Sequence, residues 1–286
     1  MGSELEFSLL GPVSVRSDGR NILARSRPQL RKVLAALLVD AGRLVTVEAL
    51  IWRVWGSDPP ENARRTLHSH ISRIRRIVRT SASNDGGNAL LRRHDGGYLL
   101  QADRASVDAH CFQHMVRRSS RCDAEQRADL LEDALGLWQG EPLAGLEGDW
   151  IEHRRERYRR MYVDASVSWA KSLVQSGRPH AAVDTLTGLA EQNPLAEPVV
   201  AALMHSLYAS GYTADALARF HRLREDLVDE LGTDPGHEIQ ELHTAILAGD
   251  LRQVSDPGQR HGESSRTRLN LPATGVSRVL DRAGWT

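Results

Sequence analysis

Ala63-Arg64-Arg65-Thr66-Leu67-His68-Ser69-His70-Ile71-Ser72-Arg73-Ile74-Arg75-Arg76-Ile77-Val78-Arg79 decides how the first third of this chain folds. Ala63, Leu67, Ile71, Ile74 and Val78 recur at spacings of 4, 4, 3 and 4, the period of one helix face. Apart from Ile77, the remaining positions are polar or cationic. Six Arg and no acidic residue stand between Asn62 and Arg79. An exposed helix ordinarily interleaves Glu with Arg, because i,i+4 ion pairs stabilise it. Forgoing those pairs leaves a face of uncompensated positive charge, which suits phosphate; the competing reading is a merely solvated basic face. On the nucleic-acid reading, Arg64, Arg65, His68, Ser69 and Ser72 offer forked and short side chains to base edges in a major groove. Arg73, Arg75 and Arg76 then suit the backbone.

The flanks set this helix in a recognisable order. Upstream, three short extended runs (6–10, 13–16 and 21–24) are broken by Gly11-Pro12 and Ser17-Asp18-Gly19. Pro28 opens a helix whose stripe is Leu30, Val33, Leu34, Leu37 and Leu38, ending near Gly42. Thr46 reads as the N-cap of a second helix, with Leu50, Ile51, Val54 and Trp55 inward and Gly56 as its stop. Ser57-Asp58-Pro59-Pro60 then turns the chain into the third helix, expected over about 61–79. Downstream, residues 80–88 are turn-rich, and two strand-like runs, 89–93 and 98–101, flank His94-Asp95-Gly96-Gly97. Asp-Gly between apolar runs signals a hairpin. Strands, three helices and a terminal hairpin make a winged helix-turn-helix with the hairpin as its wing. Arg92 and Arg93 precede the tip, where a wing can place an Arg against the adjacent minor groove. A charged edge strand that resists aggregation is the other reading of that pair.

The charge distribution divides the chain at the same place. The 286 residues carry 37 basic and 37 acidic side chains, so the net charge is zero. Residues 1–104 hold 17 basic and 10 acidic (+7), and residues 105–286 hold 20 and 27 (−7). A basic front and an acidic back point to a polyanion for one part and protein for the other. No apolar run approaches a membrane span, the N-terminus lacks a secretory pattern, and Cys111 and Cys122 are too few for a disulfide framework. A cytoplasmic protein without a membrane partner is expected, and nothing in the sequence asks for a cofactor.

From Val107 onward helix follows helix. Ser176-Gly177 and Ser210-Gly211 lie 34 residues apart, as do Ala182 and Ala216, the period of tetratricopeptide-type helix pairs. The expected fold is mainly α with a small β component: a winged-helix domain over 1–104 and a tetratricopeptide-like helical domain over 105–252. Residues 253–286 read as a flexible tail. Trp138, Trp150, Trp169, Tyr158 and Tyr162 are expected to fill helix joints, with a ligand groove as the alternative. His110 and His114 share a helix face, yet no third ligand with metal-site spacing follows, so no metal is expected. A Gly-rich phosphate loop, a G-x-S-x-G elbow and an H-E-x-x-H helix are all missing from the sequence, and no enzyme is expected.

Several stretches resemble the SARP family (Streptomyces antibiotic regulatory proteins). They are Arg27-Pro28-Gln29-Leu30-Arg31-Lys32-Val33-Leu34, then Trp55-Gly56-Ser57-Asp58-Pro59-Pro60 running on to Thr66-Leu67-His68-Ser69-His70-Ile71-Ser72-Arg73-Ile74-Arg75-Arg76, and Gly96-Gly97-Tyr98-Leu99-Leu100. In the back half, Trp138-Gln139-Gly140-Glu141-Pro142-Leu143 and Glu230-Leu231-Gly232-Thr233-Asp234-Pro235-Gly236 resemble the bacterial transcriptional activator domain that follows the OmpR-type winged helix in that family. The resemblance implies an activator of antibiotic or other secondary-metabolite genes. It would bind direct repeats near the −35 region as a side-by-side dimer and recruit RNA polymerase through sigma region 4 and other subunits. It makes the third helix, Thr66 included, the recognition helix, with His70, Arg73 and Arg75 on the DNA backbone. The loop Trp55, Gly56, Ser57, Asp58, Pro59, Pro60, Glu61 and Asn62 would face polymerase. Larger members carry an ATPase module and sensor repeats that this chain lacks, so a small stand-alone regulator or a truncation is expected. A ligand-responsive repressor with the helical part as sensor is the alternative from another class, and a scaffold whose basic domain binds an acidic protein is a third.

Overall fold

In the computed structural model, which describes residues 5–24, 26–81 and 89–250, the 63–79 stretch is helix α3 (Ala63–Ser81), and its whole apolar stripe is buried. It packs on α1 (Pro28–Leu38) and α2 (Val47–Trp55). The five α1 stripe residues are buried, and so are Leu50 and Val54 of α2. Thr46 caps α2 as its position requires, its Oγ1 accepting from Ala49 N at 3.1 Å. Gly56 ends the helix at φ +74°, where a side chain would be strained.

Strands β1 (Leu5–Ser8), β2 (Ser14–Ser17) and β3 (Arg20–Asn21) form an antiparallel sheet in that order. The third run is shorter than its sequence implies. Asn21 Oδ1 accepts from Leu23 N at 2.9 Å, an Asx turn that draws the chain out of the sheet. The second sheet holds an unexpected strand, β4 (Leu44–Thr46), in the order β4-β6-β5 with β5 (Ala89–His94) and β6 (Gly97–Ala102). Only Val45 of β4 is buried, so three residues carry no alternation to read. The hairpin register pairs Arg93 with Tyr98 and His94 with Gly97.

The helical part comprises α4 (Asp108–Ser119), α5 (Ala124–Leu135), α6 (Asp149–Gln175), α7 (Val183–Gln192), α8 (Glu197–Ala209), α9 (Thr213–Leu231) and α10 (His237–Ala248). The 34-residue repeat reappears as hydrogen bonds. Arg178 N donates to Leu173 O and Tyr212 N to Leu207 O, while Ser176 N donates to Ser172 O and Ser210 N to Ser206 O. Each set closes the end of α6 or α8 over a glycine at positive φ, and the small residues Ala182 and Ala216 are fully buried where the next helices cross. The fold is therefore mostly helical, a winged helix-turn-helix followed by tetratricopeptide-like helix pairs. Among the described residues no helix is long and apolar enough to cross a membrane. Trp150, Trp169 and Tyr158 are buried in helix joints, and Trp138 meets Phe112 and Tyr162 edge-on. The tail expected over 253–286 and most of the 80–88 turn lie outside the described residues.

A continuous joint fastens the two parts. Leu9 and Leu10 donate their N–H groups to the Asp108 carboxylate at 2.8–3.0 Å, and the carbonyls of Leu9, Leu10 and Gly11 accept from Leu143, Gln139 and Ala144. Arg53 of α2 bonds Ala36 O at 2.9 Å and Asp40 at 2.6 Å, and its guanidinium lies 5.3 Å from the Trp150 ring centre. Arg155 does the same service within the helical part, donating to the carbonyls of Pro142, Leu143 and Leu146 and pairing with Glu141 and Glu152.

Burial pushes the Asp108 carboxyl up to about 6, against the pull of the amides of Leu10, Leu9 and Ala109, which favour the ionised form. Between the free value of 3.8 and about 6, the folded chain holds a proton that the unfolded chain has released. The stability this group contributes is thus complete below about pH 4 and lost as pH rises through 6, an effect of about 3 kcal/mol. Asp108→Asn cannot titrate, so chemical denaturation of both proteins across pH 4–7 isolates it. The wild-type advantage is expected to shrink toward neutral pH. A constant advantage across that window would show instead that the three amides keep the carboxylate ionised throughout.

Candidate nucleic-acid interface

At 100° per residue, the ridge diametrically opposite the buried stripe of α3 is Arg65, Ser69, Ser72 and Arg76. All four are exposed. His68 and Arg79 flank one side of that ridge and Arg73 the other, all exposed as well. The sequence that buries one side of α3 therefore presents a cationic ridge with two short hydroxyls at its centre. The first turn contains no acid. Helix-N-terminal N–H groups there add to the positive potential.

Several α3 side chains are already engaged or half-buried. Arg64 is exposed but pairs with Glu48 of α2 at 2.7 Å; both side chains are more than three-fifths exposed, so the pair is weak and exchangeable. Arg75 is half-buried and donates from Nε to Leu91 O at 3.2 Å, tying the helix to the wing and leaving fewer N–H groups for phosphate. Ser72 Oγ donates back to His68 O at 2.9 Å. Thr66 is half-buried at the ridge shoulder. His70 is half-buried near Arg73 and Arg27, and its Nε2 is buried without a partner. Burial, then those two guanidinium groups, holds its imidazole below the usual histidine range. It is neutral at pH 7, and so bonds an anion as a dipole rather than as a cation.

On the wing, Arg93 shares the parity of buried Ala89 and Leu91, whereas Arg92 points to the other face; both are exposed. The two arginines therefore serve different faces of the hairpin. The 55–62 loop joins α2 to α3: Trp55 packs half-buried on the core, Gly56 makes the turn, and Ser57, Asp58, Pro59, Pro60, Glu61 and Asn62 are exposed. Ala63 N donates to Pro60 O and Thr66 N to Asn62 O, closing the loop onto the helix.

Sequence reasoning passed over two features nearby. Trp52, on the outer side of α2 next to this loop, is 54% exposed. Arg53, one residue on, carries the contact to the helical part. Neither has a local signal, since an aromatic and an arginine on a helix read as ordinary surface until the partner across the joint is known.

Residues 24–100 match the family described as "Transcriptional regulatory protein, C terminal", and residues 107–247 the "Bacterial transcriptional activator domain". The regulatory protein DnrI of Streptomyces peucetius is 32% identical over 257 residues, which cover 86% of this chain and 93% of that relative. The regulatory protein AfsR of Streptomyces coelicolor is 35% identical over 285 residues, covering 98% of this chain. This chain spans only about a quarter of the AfsR relatives, 28% of that one and 25% of the one from Streptomyces griseus. Among solved structures, Mycobacterium tuberculosis EmbR in complex with a low-affinity phosphopeptide superposes with a TM-score of 0.80 at 29% identity, covering 87% of this chain and 66% of that one.

Proposed function

Because the chain belongs to the SARP family of transcriptional regulators, we propose that it is a sequence-specific DNA-binding activator of a secondary-metabolite gene cluster. The observation that carries this reading is the acid-free, exposed ridge of α3 opposite a fully buried stripe. A helix so presented enters a major groove with Arg65, Ser69 and Ser72 toward base edges, while Arg73 and Arg76 hold phosphates and Arg64 exchanges Glu48 for DNA. Thr66, His68, His70 and Arg75 support the same face. Arg93 or Arg92 follows on the wing.

In this reading residues 1–104 read the DNA and residues 105–252 meet protein. Two protomers sit side by side on direct repeats near the −35 region. A repeat of one helical turn presents the same groove face to both. The loop Trp55, Gly56, Ser57, Asp58, Pro59, Pro60, Glu61 and Asn62 faces RNA polymerase holoenzyme, sigma region 4 included, and the protein works in the cytoplasm at the nucleoid. Its relatives are regulators, and the role proposed is recruitment rather than catalysis.

Selection of bound duplexes from a random DNA pool, followed by sequencing, tests the reading. Enrichment of a direct repeat with a one-turn period is expected. A palindrome would keep DNA binding and overturn the head-to-tail pair, and no enrichment at moderate salt would overturn specific recognition.

A further inference from the structure

A cleft of about 780 Å³ opens between the winged helix and the helical part, on neither the α3 ridge nor the 55–62 loop. Its cationic lining comes from three places: Arg43 after α1, Arg104 in the connecting turn, and Arg117, Arg154 and Arg157 on α4 and α6. Among the described residues, the only carboxylate on the lining is Asp40, already engaged by Arg53 at 2.6 Å. Among the described residues, none of the five arginines has an ion pair. Like charges gathered in a concave site repel one another unless an anion joins them.

His110 lines the cleft with Nε2 against Val39 O at 3.2 Å, and its Nδ1 is buried with no partner.

We propose that this cleft binds a phosphorylated small molecule of nucleotide size, its phosphate oxygens held by Arg43, Arg104, Arg117, Arg154 and Arg157. Guanidinium forks match phosphate oxygens in pairs. The volume lies in the range of ordinary small-molecule sites and far exceeds that of a single oxyanion. Arg43 belongs to the winged helix and Arg154 and Arg157 to α6, so the ligand bridges the joint and stabilises it by mass action. The Arg154 guanidinium, 5.6 Å from the Trp150 ring centre, is already oriented by that stacking. The site stands whether or not α3 reads DNA as proposed.

Titration calorimetry of the full chain with inorganic triphosphate, a nucleoside triphosphate and, at matched ionic strength, sulfate tests it. Saturable 1:1 binding of a triphosphate but not of sulfate is expected. Equal affinity for both triphosphates assigns the site to phosphate alone, and a preference for the nucleoside form extends it to the rest of the ligand. Arg117→Ala with Arg157→Ala, both exposed positions, should weaken binding about tenfold or more while leaving the affinity for random duplex DNA unchanged. No binding, binding undiminished in the double variant, or an equal loss of DNA binding (which would make the cleft part of the DNA track) would each overturn the proposal.

Discussion

Replacing Arg65 and Arg73 together by alanine is expected to weaken operator binding about a hundredfold or more at roughly 0.15 M salt, two charge-assisted contacts being removed. Arg65 sits on the outermost ridge of α3 and Arg73 on its shoulder, and both are exposed. Neither side chain touches the buried stripe, so the melting temperature should stay where it is, which separates loss of binding from loss of fold. The salt dependence carries the sharper information. Each phosphate neutralised contributes about 0.9 to the slope of log K against log salt, so with Arg73 on phosphate and Arg65 on a base edge the slope should fall by roughly 1, with relaxed discrimination at one base pair. A fall of about 2, with base discrimination unchanged, would instead put both arginines on phosphate. An unchanged slope would take α3 out of the interface altogether.

Gly97→Ala should be the most damaging single substitution in the wing. A Cβ there would lie 2.3 Å from the carbonyl oxygen of Val45 and 2.9–3.0 Å from the carbonyl carbon of Val45 and the Cα of Thr46. Those atoms are backbone of β4, paired with β6 through Val45–Tyr98 and Thr46–Gly97, and cannot swing aside as a side-chain tip would. Relief requires breaking the β4–β6 ladder and with it the seat of the α2 N-cap. A loss of about 3 kcal/mol or more is expected, read as a lower denaturation midpoint. Gly96→Ala is the matched control. Its φ of +79° is strained for alanine, but nothing lies within 4 Å, so a cost of about 1 kcal/mol should suffice. Equal effects of the two substitutions would mean that β4 does not lie against Gly97 as described.

The parts of the fold that were legible have a period. The 4-4-3-4 stripe of α3, the α1 stripe, the Thr46 cap and the hairpin around Asp95-Gly96 all follow from residues close together in sequence, and so does the 34-residue recurrence. Three-residue β4 has no period to show. Asn21 ended its strand through a side-chain bond that composition does not reveal. Likewise, the outward half of the candidate site follows from the helix period, whereas the engagement of Arg64 with Glu48 and of Arg75 with Leu91 depends on neighbours 16 residues away. The basic cleft is less legible still, because its arginines are scattered between positions 43 and 157 and converge only when the two parts dock.

That docking has a consequence for exchanging parts between regulators. Every main-chain group of Leu9 and Leu10, and the Gly11 carbonyl, is answered by Asp108 or by the 139–144 segment. Scission after residue 104 would leave these donors and acceptors at the rim of the first sheet with only water to satisfy them, beside apolar Leu9 and Leu10 newly uncovered. A winged helix transplanted onto a foreign helical partner would meet the same deficit unless the recipient supplied an acid at the Asp108 position and a loop of matching reach. The winged helix and the helical part of this chain are thus a fitted pair, and a hybrid that keeps the joint must carry the 108 and 139–144 positions along with residues 9–11.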